Sequence, residues 1–72
     1  MNKNKHVVPS KNGGWSVKTG GNEVSHQRTQ RDAIQTANSM AKMDRTEVVI
    51  HGKDGKIRDK NSFGKDPYPP KG

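Results

Sequence analysis

Cationic side chains at short intervals are the residues of this chain best equipped for chemistry. The densest set lies in VVIHGKDGKIRDKNSFGKDPYPPKG, from Val48 to Gly72. Lys53, Lys56, Arg58 and Lys60 recur there, and Lys5, Lys11 and Lys18 repeat the pattern near the N-terminus. Clustered ammonium and guanidinium groups attract anions, polyanions above all. The competing explanation is a solvated outer face whose lysines keep sheet edges from pairing. His6, His26 and His51 are potential metal ligands, but their wide separation lacks the local pairing typical of zinc sites, and no cysteine joins them. No metal and no cofactor is expected. The run Asp59–Gly64 brushes against a calcium loop and fails it, with Phe63 where an oxygen ligand belongs and Pro70 in place of the bidentate glutamate. The sequence contains no P-loop, no GxSxG elbow and no HExxH pair. A domain this small also has little room for a closed, dry pocket, so neither catalysis nor a small-molecule substrate is expected.

The lysines need strands to align them. Asp54-Gly55 lies between Val48-Val49-Ile50 and Ile57, and such a pair supplies the positive φ angles of a two-residue type I′ turn. That turn sets Lys53 opposite Lys56, His51 opposite Arg58, Ile50 opposite Asp59 and Val49 opposite Lys60. Alternation then puts Val48, Ile50 and Ile57 on an apolar side, with His51, Lys53, Lys56, Arg58 and Lys60 on a cationic one. Opposed like charges on such a ribbon would be relieved by an anion. Asn12-Gly13 gives a second hairpin on the same logic, with Val8 facing Val17, Ser10 facing Trp15, and Lys5, Lys11 and Lys18 sharing the outer side. Pro9 cannot donate a ladder hydrogen bond, so its strand belongs at an edge or turns that position outward. Gly20-Gly21-Asn22 leads into a third strand, Glu23–His26, with Val24 pointing in.

Thr29 is the expected N-cap of a single helix, with Asp32 in the carboxylate position of a capping box. Ala33, Ile34, Ala37, Met40 and Ala41 follow the three-and-four spacing of one apolar stripe, and the helix should end near Met43–Arg45. Residues 1–5 read as a frayed basic lead, and residues 61–72 as an extended Pro-rich tail able to lay Phe63 and Tyr68 across the sheet. Pro67–Pro70 also gives a short PxxP match.

Bulk composition pulls the other way. The 72 residues contain no leucine, are 25% hydrophobic and carry a net charge of +7, a balance usually associated with disorder. Agreement among turn dipeptides, a cap and strand alternation outweighs it, and the chain reads as one folded domain. A core this thin makes self-association attractive. With neither a signal peptide nor a membrane span visible, a cytoplasmic location is expected.

The HVVPSKNGGWSVK opening, the central helix and the VIHGKDGKIRDKNSFGKDPYPPKG ending resemble the small bacterial domain of unknown function 2188. The element order is also similar to one repeat of the YegP-like domains, which build compact units by duplication or pairing. The resemblance covers almost the whole chain and implies an α+β fold and a plausible dimer, while carrying over no catalytic or binding residue. The expected architecture is a twisted antiparallel sheet of four to five short strands with one helix on one face, in the order β-β-β-α-β-β. The expected function is weak binding of DNA or RNA through Lys53, Lys56, Arg58 and Lys60, aided by Lys5, Lys11 and Lys18. The alternative is a homodimeric or protein-interaction module using a sheet edge or the Pro-rich tail.

Overall fold

The computed structural model describes residues 4–63. Tyr68, the PxxP match and the rest of the tail from residue 64 lie outside them, as does the lead before Asn4. The chain runs β1 (Lys5–Pro9), β2 (Trp15–Thr19), β3 (Asn22–Gln27), α1 (Gln30–Asp44), β4 (Glu47–His51) and β5 (Ile57–Ser62). This is the expected α+β order, with Lys5 already inside β1 and Asn61 and Ser62 still inside β5. The strands form one sheet in the order β3-β2-β1-β4-β5. All neighbours are antiparallel except the central pair, β1 and β4, which is parallel, so the sheet is mixed and not the antiparallel one expected. A parallel pair requires a long crossover, and here β2, β3 and the helix supply it.

The helix starts and stops where local chemistry says it should. Thr29 Oγ1 accepts the Asp32 amide at 3.1 Å, satisfying one of the orphan donors of the first turn. At the other end Arg45 takes a left-handed φ of 56°, and the Arg45 and Thr46 amides both return to the Ala41 carbonyl, closing a Schellman motif. Ala33, Ala37 and Ala41 are fully buried, so the helix lies close on Val7, Val17, Val48, Ile50 and Trp15, with Ile34, Met40 and Phe63 at the rim.

Both lysine-bearing hairpins turn at the expected place but not with the expected loop. In the first, the Gly13 amide bonds the Ser10 carbonyl at 3.2 Å and the Ser10 amide bonds the Gly14 carbonyl at 3.0 Å. In the second, Gly55 bonds Gly52 at 2.9 Å and Gly52 bonds Lys56 at 2.8 Å. Each loop is therefore three residues long, Lys11-Asn12-Gly13 and Lys53-Asp54-Gly55, the geometry in which a type I turn is followed by a left-handed residue. The two-residue turn with consecutive positive φ, 58° and 84°, belongs instead to Gly20-Gly21.

The extra residue corrects several side-chain directions. In the first hairpin Val7 pairs with Val17 and Pro9 with Trp15, so Val7 rather than Val8 joins the core. In the second, His51 pairs with Ile57, and a bulge at Arg58 then restores the expected Ile50–Asp59 and Val49–Lys60 pairs. Lys53 and Lys56 consequently do not oppose one another, nor do His51 and Arg58. Ile57 follows His51 to the face away from the helix and is 59% exposed instead of core. A second bulge leaves Val24 unpaired between Glu23 and Ser25, where it is exposed rather than inward.

Candidate nucleic-acid interface

Parallel pairing of β1 and β4 has a direct consequence for charge. Lys5 lies beside Val48 and Val7 beside Ile50, so both strands run the same way and deliver their hairpin loops to the same end of the sheet. Lys11, Lys53 and Lys56 are all exposed at that end and make no ion pair among the described residues. Asp54 caps its own loop, its Oδ1 accepting the Lys56 amide at 3.0 Å.

The helix begins at the same end. Gln30 Nε2 donates to the His51 carbonyl at 3.0 Å, and Gln30 Oε1 accepts from Arg58 Nη1 at 2.9 Å, so one glutamine fastens the first helical turn to the second hairpin and holds the Arg58 guanidinium. Arg31 and Arg58 line one shallow cleft with Gln30, Ile34, Gln35, Ile50 and Asp59. Arg28 is exposed just after β3, whose last residue, Gln27, pairs with Trp15 beside the first loop. His26 Nε2–H donates to the Gly13 carbonyl at 2.8 Å and ties that loop to β3.

Of the seven residues proposed from sequence, Lys11, Lys53, Lys56 and Arg58 are thus brought together. Lys60 lies further along, on the uncovered face opposite Val49, and Lys18 on that face is paired in register with His6 and Glu23. Lys5 does not belong to the outer set. It is 2% exposed on the helix side, and its Nζ reaches Asp44 Oδ2 at 2.7 Å, closing the C-terminal end of the helix onto β1. The sequence reading missed Arg28 and Arg31. Their signal was their position on either side of the N-cap Thr29, which becomes informative only once the start of the helix is known to lie beside the loops.

The uncovered face carries one more polar cluster. His6 Nδ1 and His51 Nε2 are 3.2 Å apart, and His51 Nδ1 is 2.9 Å from the Gly55 carbonyl. Burial first, and then the neighbouring His51, hold the His6 imidazole below its ordinary pKa of 6.5.

Fold and charge together define a small, basic, two-layer α+β domain with Lys11, Arg28, Arg31, Lys53, Lys56 and Arg58 at the loop end of a mixed sheet. The chain belongs to the family described as uncharacterized protein conserved in bacteria (DUF2188), whose model matches residues 5–63. It is 39% identical over 66 residues to the uncharacterized protein YdaT of Bacillus subtilis (strain 168). That alignment covers 89% of this chain and 43% of the relative, so the chain spans less than half of the relative's length. No solved structure matches. Among the described residues no helix is long and apolar enough to cross a membrane.

Proposed function

We propose that the protein is a small, non-enzymatic, cytoplasmic accessory protein that binds nucleic acid weakly through the phosphate backbone, at the loop end of its sheet. The observation that supports this reading most directly is the convergence of both lysine-tipped loops with Arg28, Arg31 and Arg58. Lys11, Lys53 and Lys56 sit on short, hydrogen-bonded loops, so a phosphate strand would meet them without much backbone ordering. Contacts of this kind position a protein without reading bases, which fits DNA and RNA alike. Lys60 and Lys18 would add to the field rather than to the contact, and Lys5 contributes neither.

Counterion release provides the test. On duplex DNA the logarithm of affinity should fall linearly with the logarithm of salt concentration, by about 0.9 for each phosphate neutralised. Replacing Lys11, Lys53 and Lys56 together by alanine should weaken binding across all sequences and reduce that slope by about one per lysine. Lys18→Ala should leave the slope almost unchanged. Fluorescence anisotropy with a short mixed-sequence duplex and its single strand measures both, and a triple variant with the wild-type slope would refute the loop-end site.

A second reading, self-association or protein docking, is favoured by a different feature: the sheet face away from the helix, with Val8 and exposed Ile57. Removing residues 66–72 separates the tail from both readings. It should spare nucleic-acid binding and weaken only an association that depends on the tail.

A further inference from the structure

His6 and His51 are 45 positions apart, yet adjacent parallel strands bring their rings to a centroid separation of 5.4 Å. The hydrogen bonds around them constrain the tautomers. A carbonyl oxygen only accepts, so His51 Nδ1 must carry the proton that it shares with the Gly55 carbonyl. The Nε2 of neutral His51 is then a bare lone pair. With both rings neutral, His6 Nδ1 donates to it across the 3.2 Å gap, and His6 Nε2 is the unprotonated nitrogen of that ring.

We infer that His6 Nδ1 and His51 Nε2 form a two-imidazole site for a borderline divalent cation such as Zn²⁺ or Ni²⁺. Two nitrogens bound to one tetrahedral zinc at about 2.0–2.1 Å each lie about 3.3 Å apart, close to the separation observed. The His51 arrangement is the one that metal-bound imidazoles adopt, with the remote N–H held by a backbone carbonyl that fixes both tautomer and ring orientation. Both rings are partly exposed, so small rotations about χ2 can turn the two lone pairs toward a common point outside the sheet. The proton balance is simple. On binding, His6 releases its Nδ1 proton and takes one up at Nε2 from solvent, and the cation replaces the hydrogen that linked the rings. Water completes the coordination sphere.

The surroundings set the class of ion. Lys18 pairs with His6 in register and Lys60 lies opposite Val49, and among the described residues no carboxylate joins the two histidines in a group of three ligands, so the pair offers little to a hard ion such as Mg²⁺ or Ca²⁺. Imidazole nitrogen suits Zn²⁺, Ni²⁺ and Cu²⁺, whose bonds to nitrogen are strong enough to form against that field. This site is separate from the polyanion reading, since the chelating atoms are histidines rather than the loop lysines.

The test uses the whole chain in a non-chelating buffer at neutral pH. Calorimetry with Zn²⁺ should give one ion per chain. Sub-stoichiometric Ni²⁺ should broaden the imidazole NMR signals of His6 and His51 well before those of His26, which serves as an internal control. His6→Gln and His51→Gln should each weaken Zn²⁺ binding by at least about tenfold, whereas His26→Gln should leave it within twofold. Broadening that is equal at His26, or centred elsewhere in the chain, would overturn the assignment, as would Zn²⁺ affinity that survives both substitutions. The broadening pattern is read on the unaltered protein, so misfolding of a variant cannot mask the result.

Discussion

At the scale of single residues, glycines with similar sequence surroundings have different obligations. Gly14 and Gly55 both hold positive φ, 75° and 84°. A Cβ added at Gly14 would lie 2.5 Å from the Gln27 carbonyl oxygen and 3.0 Å from the His26 ring, whereas one added at Gly55 meets nothing within 4 Å. Gly55→Ala therefore carries only the left-handed backbone penalty, about 1 kcal/mol, while Gly14→Ala adds a clash with backbone and should cost about 2–3 kcal/mol. Urea unfolding of the two variants checks the difference, and equal losses would mean that β3 gives way easily beside the first loop. The sequence shows both glycines as turn residues. It does not show the close approach at Gly14, because that depends on β3 folding back beside the loop, with Gln27 opposite Trp15.

At the scale of elements, legibility followed locality. Thr29, Asp32 and the alanine stripe act within a few residues of one another, and the helix they predict is the helix observed. Its narrow face should be intolerant of bulk. Ala37→Leu would force extra methylenes between α1 and the valines of β1 and β2, and should cost about 1–3 kcal/mol by thermal or urea unfolding. A neutral result would reveal slack between helix and sheet. The turn dipeptides were equally readable as locations, but Asn-Gly and Asp-Gly fit loops of two or three residues, and that single residue decided whether Val7 or Val8 went inside. In the second hairpin the bulge at Arg58 cancelled the error beyond Ile50 but left Ile57 on the wrong face. Nothing in IRDKNS marks a bulge. The partnership of β1 with β4 was also hidden, because parallel neighbours share no turn. With it went the burial of Lys5, the meeting of the two loops and the contact between His6 and His51.

At the scale of the molecule, one helix covers one face of a five-stranded sheet, and among the described residues no element covers the other. Val49 shows how that face manages on its own: it is only 6% exposed although it points away from the helix, because His6 and Lys60 flank it on the neighbouring strands. The aliphatic stem of Lys60 can cover apolar surface while its ammonium stays in water. Ile57 has no such cover. If this face pairs with a second copy, sedimentation velocity across a hundredfold range of concentration should reveal a dimer, and Ile57→Lys should abolish it while leaving the fold intact. A species that stays monomeric throughout would remove self-association from consideration. Both outer strands, β3 and β5, carry a bulge, a feature that discourages indiscriminate edge-to-edge pairing.

The parallel central pair also bears on the order in which the protein assembles as it is made. The three hairpin contacts, β1 with β2, β2 with β3, and β4 with β5, can each form soon after their residues leave the ribosome. The joint that unites them, Lys5 with Val48 through Val7 with Ile50, spans 43 residues and must wait for β4. Until then only three of the five strands, β1, β2 and β3, offer a face to the helix, and one side of β1 is an unpaired edge. The cooperative core of this domain is therefore sealed late, by a strand near its C-terminal end, and a nascent chain stalled before Val48 would remain open to proteolysis and to pairing with the wrong strand.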